Sequence, residues 1–318
     1  MVDVYFTVDV EVWCDGWVDI DRKFPTAFER YIYGPDRQHG LPYQLDTLRE
    51  FGLRGIFFVE PLFAGRFGLA PLAEVVELIE SSGHETQLHL HTEWVDEATR
   101  PLLPSPRGKR QHLRYFDAAE QSILIAAGID WLQRAGSPRP VAFRAGSFAF
   151  NQDTLPALIA NKLQTDLSYN ASMFGPTSGV CPGETLDQPR QLGDVLELPM
   201  TVYEDGRGLR HAQLTACSWS ELEGLLWQAL DAGHTSFVIL SHGSELLAPG
   251  LSRADPVVVD RFDRLCRFLD RERTSFVVRG LRDGPPPRIP VTPVKRLRSP
   301  IWRTGLRMME QVWRRRYT

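Results

Sequence analysis

Histidine and glutamate residues that could bind a metal ion are concentrated in the stretch GHETQLHLHTEW at Gly83–Trp94. If Gln87–His91 forms a strand, its alternating side chains place His89 and His91 on one face, and a strand that persists to its end adds Glu93 to that face. Parallel α/β folds hold their active sites at this end of their strands. Imidazole and carboxylate donors together suit zinc or a similar divalent ion. The alternative is a solvated strand end with one or two structural histidines.

Two acidic side chains near the N-terminus form a second candidate site. The run VDVYFTVDVEV at Val2–Val12 alternates at its centre, so Asp9 and Glu11 project from one face near the carboxyl end of the strand, and valines occupy the other face. Carboxylates are seldom buried unless they are paired or bind a metal. We interpret them as a catalytic or metal-binding pair, with a surface strand carrying exposed acids as the alternative.

Polar residues also accompany three later apolar runs, with Arg144 after VAF, Asp166 before Leu167 and His242 after FVILS. Roughly seven strands alternate with helical segments, which predicts a barrel-like α/β fold whose mouth gathers these residues. Trp13–Gly40 is predicted to be an irregular loop, long enough for a lid. A later helix is predicted to be capped by Ser220.

Length and composition suit one large α/β barrel or two smaller domains, since the chain has 318 residues, 43% of them hydrophobic and 24% charged. The net charge of −4 is uneven: residues 291–318 carry eight Lys and Arg against one Glu, a net +7, which leaves −11 for residues 1–290. Four scattered cysteines without a CxxC pair are expected to be reduced thiols. With no visible signal peptide or membrane-spanning run, we expect a cytoplasmic protein.

Five short motifs resemble, in the same order, those of the polysaccharide deacetylases, the NodB-homology group of carbohydrate esterase family 4. They are Thr7–Glu11 (TVDVE), Gly83–Glu93 (GHETQLHLHTE), Phe143–Gly146 (FRAG), Asp166–Tyr169 (DLSY) and Leu240–His242 (LSH). The resemblance covers about residues 1–280. It implies an α/β fold of the distorted (β/α)7-type barrel kind, and hydrolysis of N-acetyl or O-acetyl groups on sugars with a bound divalent metal.

The resemblance also implies a role for each matching residue. Asp9 would be the general base, and Arg144 would orient it and balance its charge. His242 would be the general acid, with Asp166 as the partner that fixes its tautomer. His89 would be the first metal-binding histidine. The chemistry is coherent, because a metal polarises the carbonyl while a base and an acid move protons to and from the reacting groups.

Two departures from the family pattern leave the ligand set open. Val10 stands where the family has a metal-binding Asp, and Glu93 stands where it has a second histidine. Replacement donors that would join His89 around a divalent ion, zinc first, are Glu11, His91 and Glu93. Alternatively, Asp9 binds the metal and a glutamate acts as base. A third possibility is a metal-free enzyme, as in the purine-catabolism branch that hydrolyses a cyclic amide.

DVE in the first motif and LHxHxEW in the second resemble a sub-branch linked to lipopolysaccharide and capsule biosynthesis. That likeness implies a saccharide substrate carried on a nucleotide or a lipid. Trp13, Trp94 and Tyr169 are candidates for stacking on the sugar, and Glu245 either caps its loop or adds a polar group to the mouth. An inactive carbohydrate-binding relative is the remaining alternative.

The C-terminal segment differs from the rest of the chain. We predict a barrel domain over residues 1–285, followed by a linker and a basic helix over residues 286–318. Trp302, Leu306, Met309 and Trp313 fall at helical spacing, with arginines mostly on the other side. Such a helix suits peripheral contact with an anionic membrane through residues 300–316, or docks on the acidic body. No pattern supports binding to nucleic acid.

Overall fold

The structure is a computed structural model that describes residues 1–104 and 108–317, without the side chains of residue 313 and residues 315–317. The strands, in chain order, are β1 (Val2–Val10), β2 (Ile56–Val59), β3 (Glu85–Leu90), β4 (Ala142–Ala145), β5 (Thr165–Asp166), β6 (Arg190–Leu192), β7 (Val195–Glu197), β8 (Val202–Glu204), β9 (Leu209–His211), β10 (Ser236–His242), β11 (Phe276–Val278) and β12 (Leu297–Arg298). The α-helices are α1 (Ile20–Ile32), α2 (Leu41–Glu50), α3 (Ala64–Phe67), α4 (Leu69–Ser81), α5 (Ala118–Arg134), α6 (Thr154–Ala160), α7 (Trp219–Asp231), α8 (Pro256–Arg271) and α9 (Ile301–Tyr317).

The chain forms two compact units. The first contains Met1–Gly55, Met200–Gly280 and the segment from Pro290 onward, and the second contains Ile56–Pro199 and Leu281–Ile289. The domain division that we predicted at residue 285 stays a prediction.

In the first unit, β1 is the central strand. It pairs in parallel with β10 on one side and with β11 on the other. Every residue of β1 is buried, which is typical of a strand covered on both faces, so its alternating pattern did not mark a solvent-facing side. The same unit contains a small sheet in the order β12-β8-β9.

In the second unit, the strands follow the order β2-β3-β4-β5-β7-β6. The pairings from β2 to β7 are parallel, and the short edge strand β6 is antiparallel to β7. Helices connect β2 to β3, β3 to β4 and β4 to β5, as a βαβ topology requires. The carboxyl ends of β3, β4 and β5 therefore meet at the same edge, and they carry His89, Arg144 and Asp166.

Three local predictions were wrong. The loop predicted at residues 13–40 contains α1, whose buried Ile20, Phe24 and Phe28 recur at helical spacing despite Pro25. The strand carrying the histidines ends at Leu90, and a 3-10 helix follows at Thr92–Glu97. The cap of α7 is Ser218 rather than Ser220. Ser218 and Glu221 form a complete capping box, so the true helix start lies two residues earlier.

Among the described residues, we find no helix with the length and apolar character needed to span a bilayer.

Candidate active site

Asp9, Glu11 and His242 come together within the first unit. β1 and β10 run parallel with Asp9 directly opposite His242, so both side chains arrive at the carboxyl ends of neighbouring strands. Glu11 follows immediately after β1. One donor atom from each of the three residues lies within 4.8 Å of the other two. Asp9 is buried, whereas Glu11 and His242 are half-buried, so the cluster combines a shielded carboxylate with two groups that solvent can reach.

His242 is held by Glu245, a residue whose role the sequence analysis left open. The Nδ1 atom of His242 lies 2.8 Å from Oε2 of Glu245. Glu245 also accepts hydrogen bonds from the backbone N–H of Thr215 at 2.6 Å and from the side-chain amide of Gln213 at 3.2 Å. The only signal in the sequence was a carboxylate three residues after a histidine at a strand end.

The charge of His242 follows from these contacts. Burial by itself lowers the pKa of the imidazole, but the Glu245 carboxylate bonded to Nδ1, with Glu11 and Asp9 nearby, raises the pKa of His242 to about 9. Burial raises the pKa of Glu245, but its hydrogen bonds from His242, Thr215 and Gln213 lower it overall. The pair is therefore an imidazolium and a carboxylate at neutral pH, with protons on both ring nitrogens of His242.

Glu11 is oriented by the first tryptophan after β1. The indole N–H of Trp13 donates to Oε2 of Glu11 at 2.7 Å, and the ring of Trp13 packs edge-on against Trp17, with centroids 6.1 Å apart. Trp13 is half-buried, so part of its ring remains accessible. A carboxylate that is fixed from one side in this way suits metal binding or proton transfer better than a freely rotating one.

In the second unit, His89 has the tautomer of a metal-binding histidine. β3 and β4 pair in parallel with His89 opposite Arg144, and Nδ1 of His89 lies 2.9 Å from the backbone carbonyl of Arg144. Because a carbonyl only accepts, Nδ1 carries the proton and the lone pair of the ring is on Nε2. A histidine ligand is oriented in this manner when its other nitrogen bonds to a backbone carbonyl.

His91 packs against His89 and has its own carboxylate partner. The two rings are 4.9 Å apart and nearly perpendicular, and Nδ1 of His91 lies 3.3 Å from Oε2 of Glu93. Gly146 leaves room for this ring, since a Cβ at that position would come within 2.8 Å of His91 and 2.7 Å of the carbonyl of Leu90. The glycine of the FRAG motif is thus required by a close approach.

The prediction that Glu93 is a metal ligand needs correction. Glu93 lies in the 3-10 helix after the strand rather than on the strand face, because β3 ends three residues earlier. Its Oε2 atom contacts His91, and among the described residues Glu93 belongs to no group of three donors within 4.8 Å of one another. Glu93 therefore orients His91.

Asp166 has partners that differ from the predicted one. It is fully buried, and its Oδ1 accepts hydrogen bonds from the N–H of Ser168 at 3.0 Å and from the hydroxyl of Ser168 at 2.5 Å. It stands opposite Glu197 in the β5–β7 pairing. Burial raises the pKa of Asp166 to about 6 despite Ser168 and nearby Arg144, and burial and Asp166 raise the pKa of Glu197 well above its usual range. The tautomer-fixing role assigned to Asp166 therefore belongs to Glu245, and Asp166 and Glu197 form a buried acid pair.

Arg144 is fully buried within the second unit. Its guanidinium carbon lies 4.4 Å from the ring centroid of Phe58 and 5.6 Å from that of Phe148, and its Nε donates to the carbonyl of Leu167 at 3.4 Å. A buried guanidinium between aromatic rings is fixed in position, as the role of orienting a carboxylate requires. That role remains a proposal.

Two of the three predicted sugar-stacking residues do not offer a ring face. Trp94 is 1% exposed and packs edge-on against Phe63 and Phe67. Tyr169 is fully buried and packs against Phe150. Both belong to the core, and Trp13 remains as the candidate.

Comparison with solved structures supports the fold. Neither a protein-family model nor a curated protein matches the chain. A solved polysaccharide deacetylase described as putative, from Mycobacterium smegmatis, is similar over 87% of this chain and 86% of its own, with a TM-score of 0.55 and 20% identity. A family 4 carbohydrate esterase from Streptomyces lividans, solved with acetate, covers 88% of this chain and 93% of its own, with a TM-score of 0.46 and 14% identity. The first of these likenesses confirms the predicted α/β fold of the polysaccharide deacetylase kind.

Proposed function

We propose that the protein is a metal-dependent hydrolase that removes an N-acetyl or O-acetyl group from a saccharide. The observation that carries the proposal is the cluster of Asp9, Glu11 and His242, in which Glu245 keeps the imidazole charged. A shielded carboxylate beside an imidazolium is the pair that general base and general acid catalysis needs. The motif order in the sequence and the fold likeness to a deacetylase point the same way.

We also propose that His89 and His91 supply ligands to a divalent ion, with zinc as the best match, and the sequence motifs add Glu11 as a carboxylate donor. The donor chemistry fits, because His89 and His91 each have a partner on Nδ1 and Glu11 is held by an indole N–H. Imidazole and carboxylate ligands select zinc and similar ions. When bound, the ion supplies polarisation of the scissile carbonyl and acidification of a water molecule.

The protein groups then handle the protons. Asp9 accepts the proton that the attacking water loses, and Arg144 is proposed to orient Asp9. His242 donates the proton on Nε2 to the departing amine or alcohol, because its Nδ1 proton is held by Glu245. For the next cycle, Asp9 releases its proton to solvent and the imidazole takes one up, returning to the charged form that Glu245 stabilises.

The substrate proposed from the sequence is an intermediate of cell-envelope glycan synthesis, such as that of lipopolysaccharide or capsule, carried on a nucleotide or a lipid. The half-buried ring of Trp13 is the proposed stacking surface for the sugar. We propose a cytoplasmic location, with the protein peripheral at the inner membrane.

Acetate release from UDP-N-acetylglucosamine and from chitotetraose tests the proposal. We expect release by the wild type and a fall in kcat of at least ~10²-fold in Asp9→Asn and His242→Ala, the usual scale for a lost base or acid. Asp46→Asn is the matched control, because Asp46 pairs with Arg49 on an exposed face of α2. Normal turnover in either variant would remove that residue from the mechanism. Sugar binding without release would favour the inactive relative, and metal-free hydrolysis of a cyclic amide would favour the other enzyme class.

A further inference from the structure

Helix α9 docks on the first unit through its arginine side. Arg307 is 3% exposed, and its guanidinium donates to Oε1 of Glu221 at 2.9 Å and to Oδ2 of Asp205 at 2.7 Å. Arg314 pairs with Asp255 at 2.6 Å. Arg307 and Arg314 therefore face the protein, and buried acidic groups hold them there.

The other side of α9 is apolar and exposed. Its members, which we call the α9 stripe, and their exposed fractions are Ile301 (71%), Trp302 (58%), Leu306 (52%), Met309 (71%) and Val312 (64%). The side chain of Trp313, which the sequence analysis included, lies outside the described residues. A surface helix normally turns its apolar side to the core and its charges to water, and α9 has the reverse arrangement. A contiguous exposed apolar surface of this kind marks a binding site.

We propose that the α9 stripe inserts into the surface of a lipid bilayer, with the helix lying parallel to the membrane plane. The stripe is one helix wide, much smaller than the ~800 Å² and ~20–30 residues that each partner contributes to a stable protein interface. A lipid surface needs no such area, because apolar side chains enter the boundary between headgroups and acyl chains individually.

One further feature favours lipid as the occupant. The guanidinium carbon of Arg303 lies 5.2 Å from the ring centroid of Trp302, and such amphipathic side chains are typical of the membrane–water boundary.

The docking contacts determine how binding responds to salt. Arg303 donates to the carbonyl of Ser220 at 2.8 Å, and Arg307 and Arg314 are bonded to carboxylates, so these arginines are committed to the protein. Apolar contact therefore provides most of the attraction. Binding is expected to change only a few-fold between low and high salt, unlike binding by a freely exposed basic helix.

Co-sedimentation of the full-length protein with vesicles tests this inference, which does not depend on the hydrolase activity. The vesicles are phosphatidylcholine alone and phosphatidylcholine with phosphatidylglycerol at about 3:1. We expect the wild type to bind both kinds of vesicle with affinities that differ only a few-fold. The double variant Leu306→Ser with Met309→Ser should bind at least ~10-fold more weakly because two exposed apolar side chains are lost. Circular dichroism should be unchanged, because both side chains point away from the protein.

The matched control is Ile123→Ser with Ile159→Ser, at residues exposed by 40% and 42% elsewhere on the surface. It should bind like the wild type. Absence of wild-type binding, or equal binding by the α9 variant, would overturn the proposal. A dimer in sedimentation velocity that the α9 variant abolishes, without vesicle binding, would assign the α9 stripe to a second copy of the chain and overturn it as well.

Discussion

Replacing Glu245 by Gln should convert His242 from a cation into a mostly neutral imidazole. The Oε1 atom of Glu245 accepts from the backbone N–H of Thr215, so the oxygen of the glutamine amide is expected to stay at that position. Its NH2 group then lies at the position of Oε2, facing Nδ1 of His242. A donor facing Nδ1 removes the charge partner and also favours the tautomer without a proton on Nδ1.

The size of the effect follows from the pKa of His242, which is about 9 with Glu245 in place against an ordinary value of 6.5. In the variant, burial still lowers the pKa of His242 and the Glu245 carboxylate no longer raises it, so the pKa of His242 should fall to near 6.5 or below. At about pH 7.5 the wild-type imidazole is almost fully protonated, whereas a group with a pKa near 6.5 is protonated in about one molecule in ten. We therefore expect kcat to fall at least ~10-fold at that pH.

Two readouts separate this effect from general damage. Histidine nitrogen NMR should show a lower pKa for His242 in Glu245→Gln. The high-pH limb of the kcat profile should move to lower pH, because activity is lost as pH rises through the pKa of the acid. Glu80→Gln is the matched control, since the Glu80 carboxylate is bonded to the guanidinium of Arg282 and to the backbone N–H of Thr86. An unchanged pKa of His242 and an unmoved alkaline limb in Glu245→Gln would refute the reasoning.

Three further predictions concern the metal, the tail and the acid pair. His89→Ala should lower the metal content of the protein, measured by mass spectrometry. His39→Ala, which removes a histidine paired with Asp36, should leave the metal content unchanged. Equal metal content in the two variants would remove His89 from the ligand set. Arg307→Ala should lower the free energy of unfolding in urea by about 3–5 kcal/mol, because two buried carboxylates, Asp205 and Glu221, each lose the guanidinium that balances their charge. Arg22→Ala, which removes an exposed ion pair with Asp19, should cost under ~1 kcal/mol, and similar losses in both variants would contradict the docking. The folded-state pKa of Asp166 is raised, to about 6, so the stability that the acid pair contributes is present below pH 4 and is lost as pH rises through 6. Glu197→Gln should therefore raise Tm more at pH 8 than at pH 5. A uniform rise in Tm at both pH values would argue against a shared proton.

Much of the fold could be predicted from sequence, because buried parallel strands and helices leave distinct patterns. β1, β3 and β10 were identified from apolar runs that end in polar residues, and α2 from Pro42 near its start. α1 was missed because Pro25 and the surrounding polar residues obscured its apolar stripe. The helix forms because packing of that stripe against the rest of the protein outweighs the weak helix propensity of the segment.

The site was predictable only in part. Asp9 and His242 were found because each lies at the end of an apolar strand. The hydrogen-bond partners of these side chains depend on turns and strand register, which the hydrophobic pattern of the sequence does not encode. Glu245 reaches His242 through the turn after β10, and Asp166 meets Glu197 through strand register. The wrong role for Glu93 has the same cause, since the strand ended before it.

The most direct test of the proposed chemistry is acetate release from UDP-N-acetylglucosamine by one preparation assayed as purified, after chelation, and after zinc is returned. We expect chelation to abolish release and about one equivalent of zinc per chain to restore it, as a catalytic metal requires. Full release after complete removal of the metal would contradict a metal-dependent hydrolase.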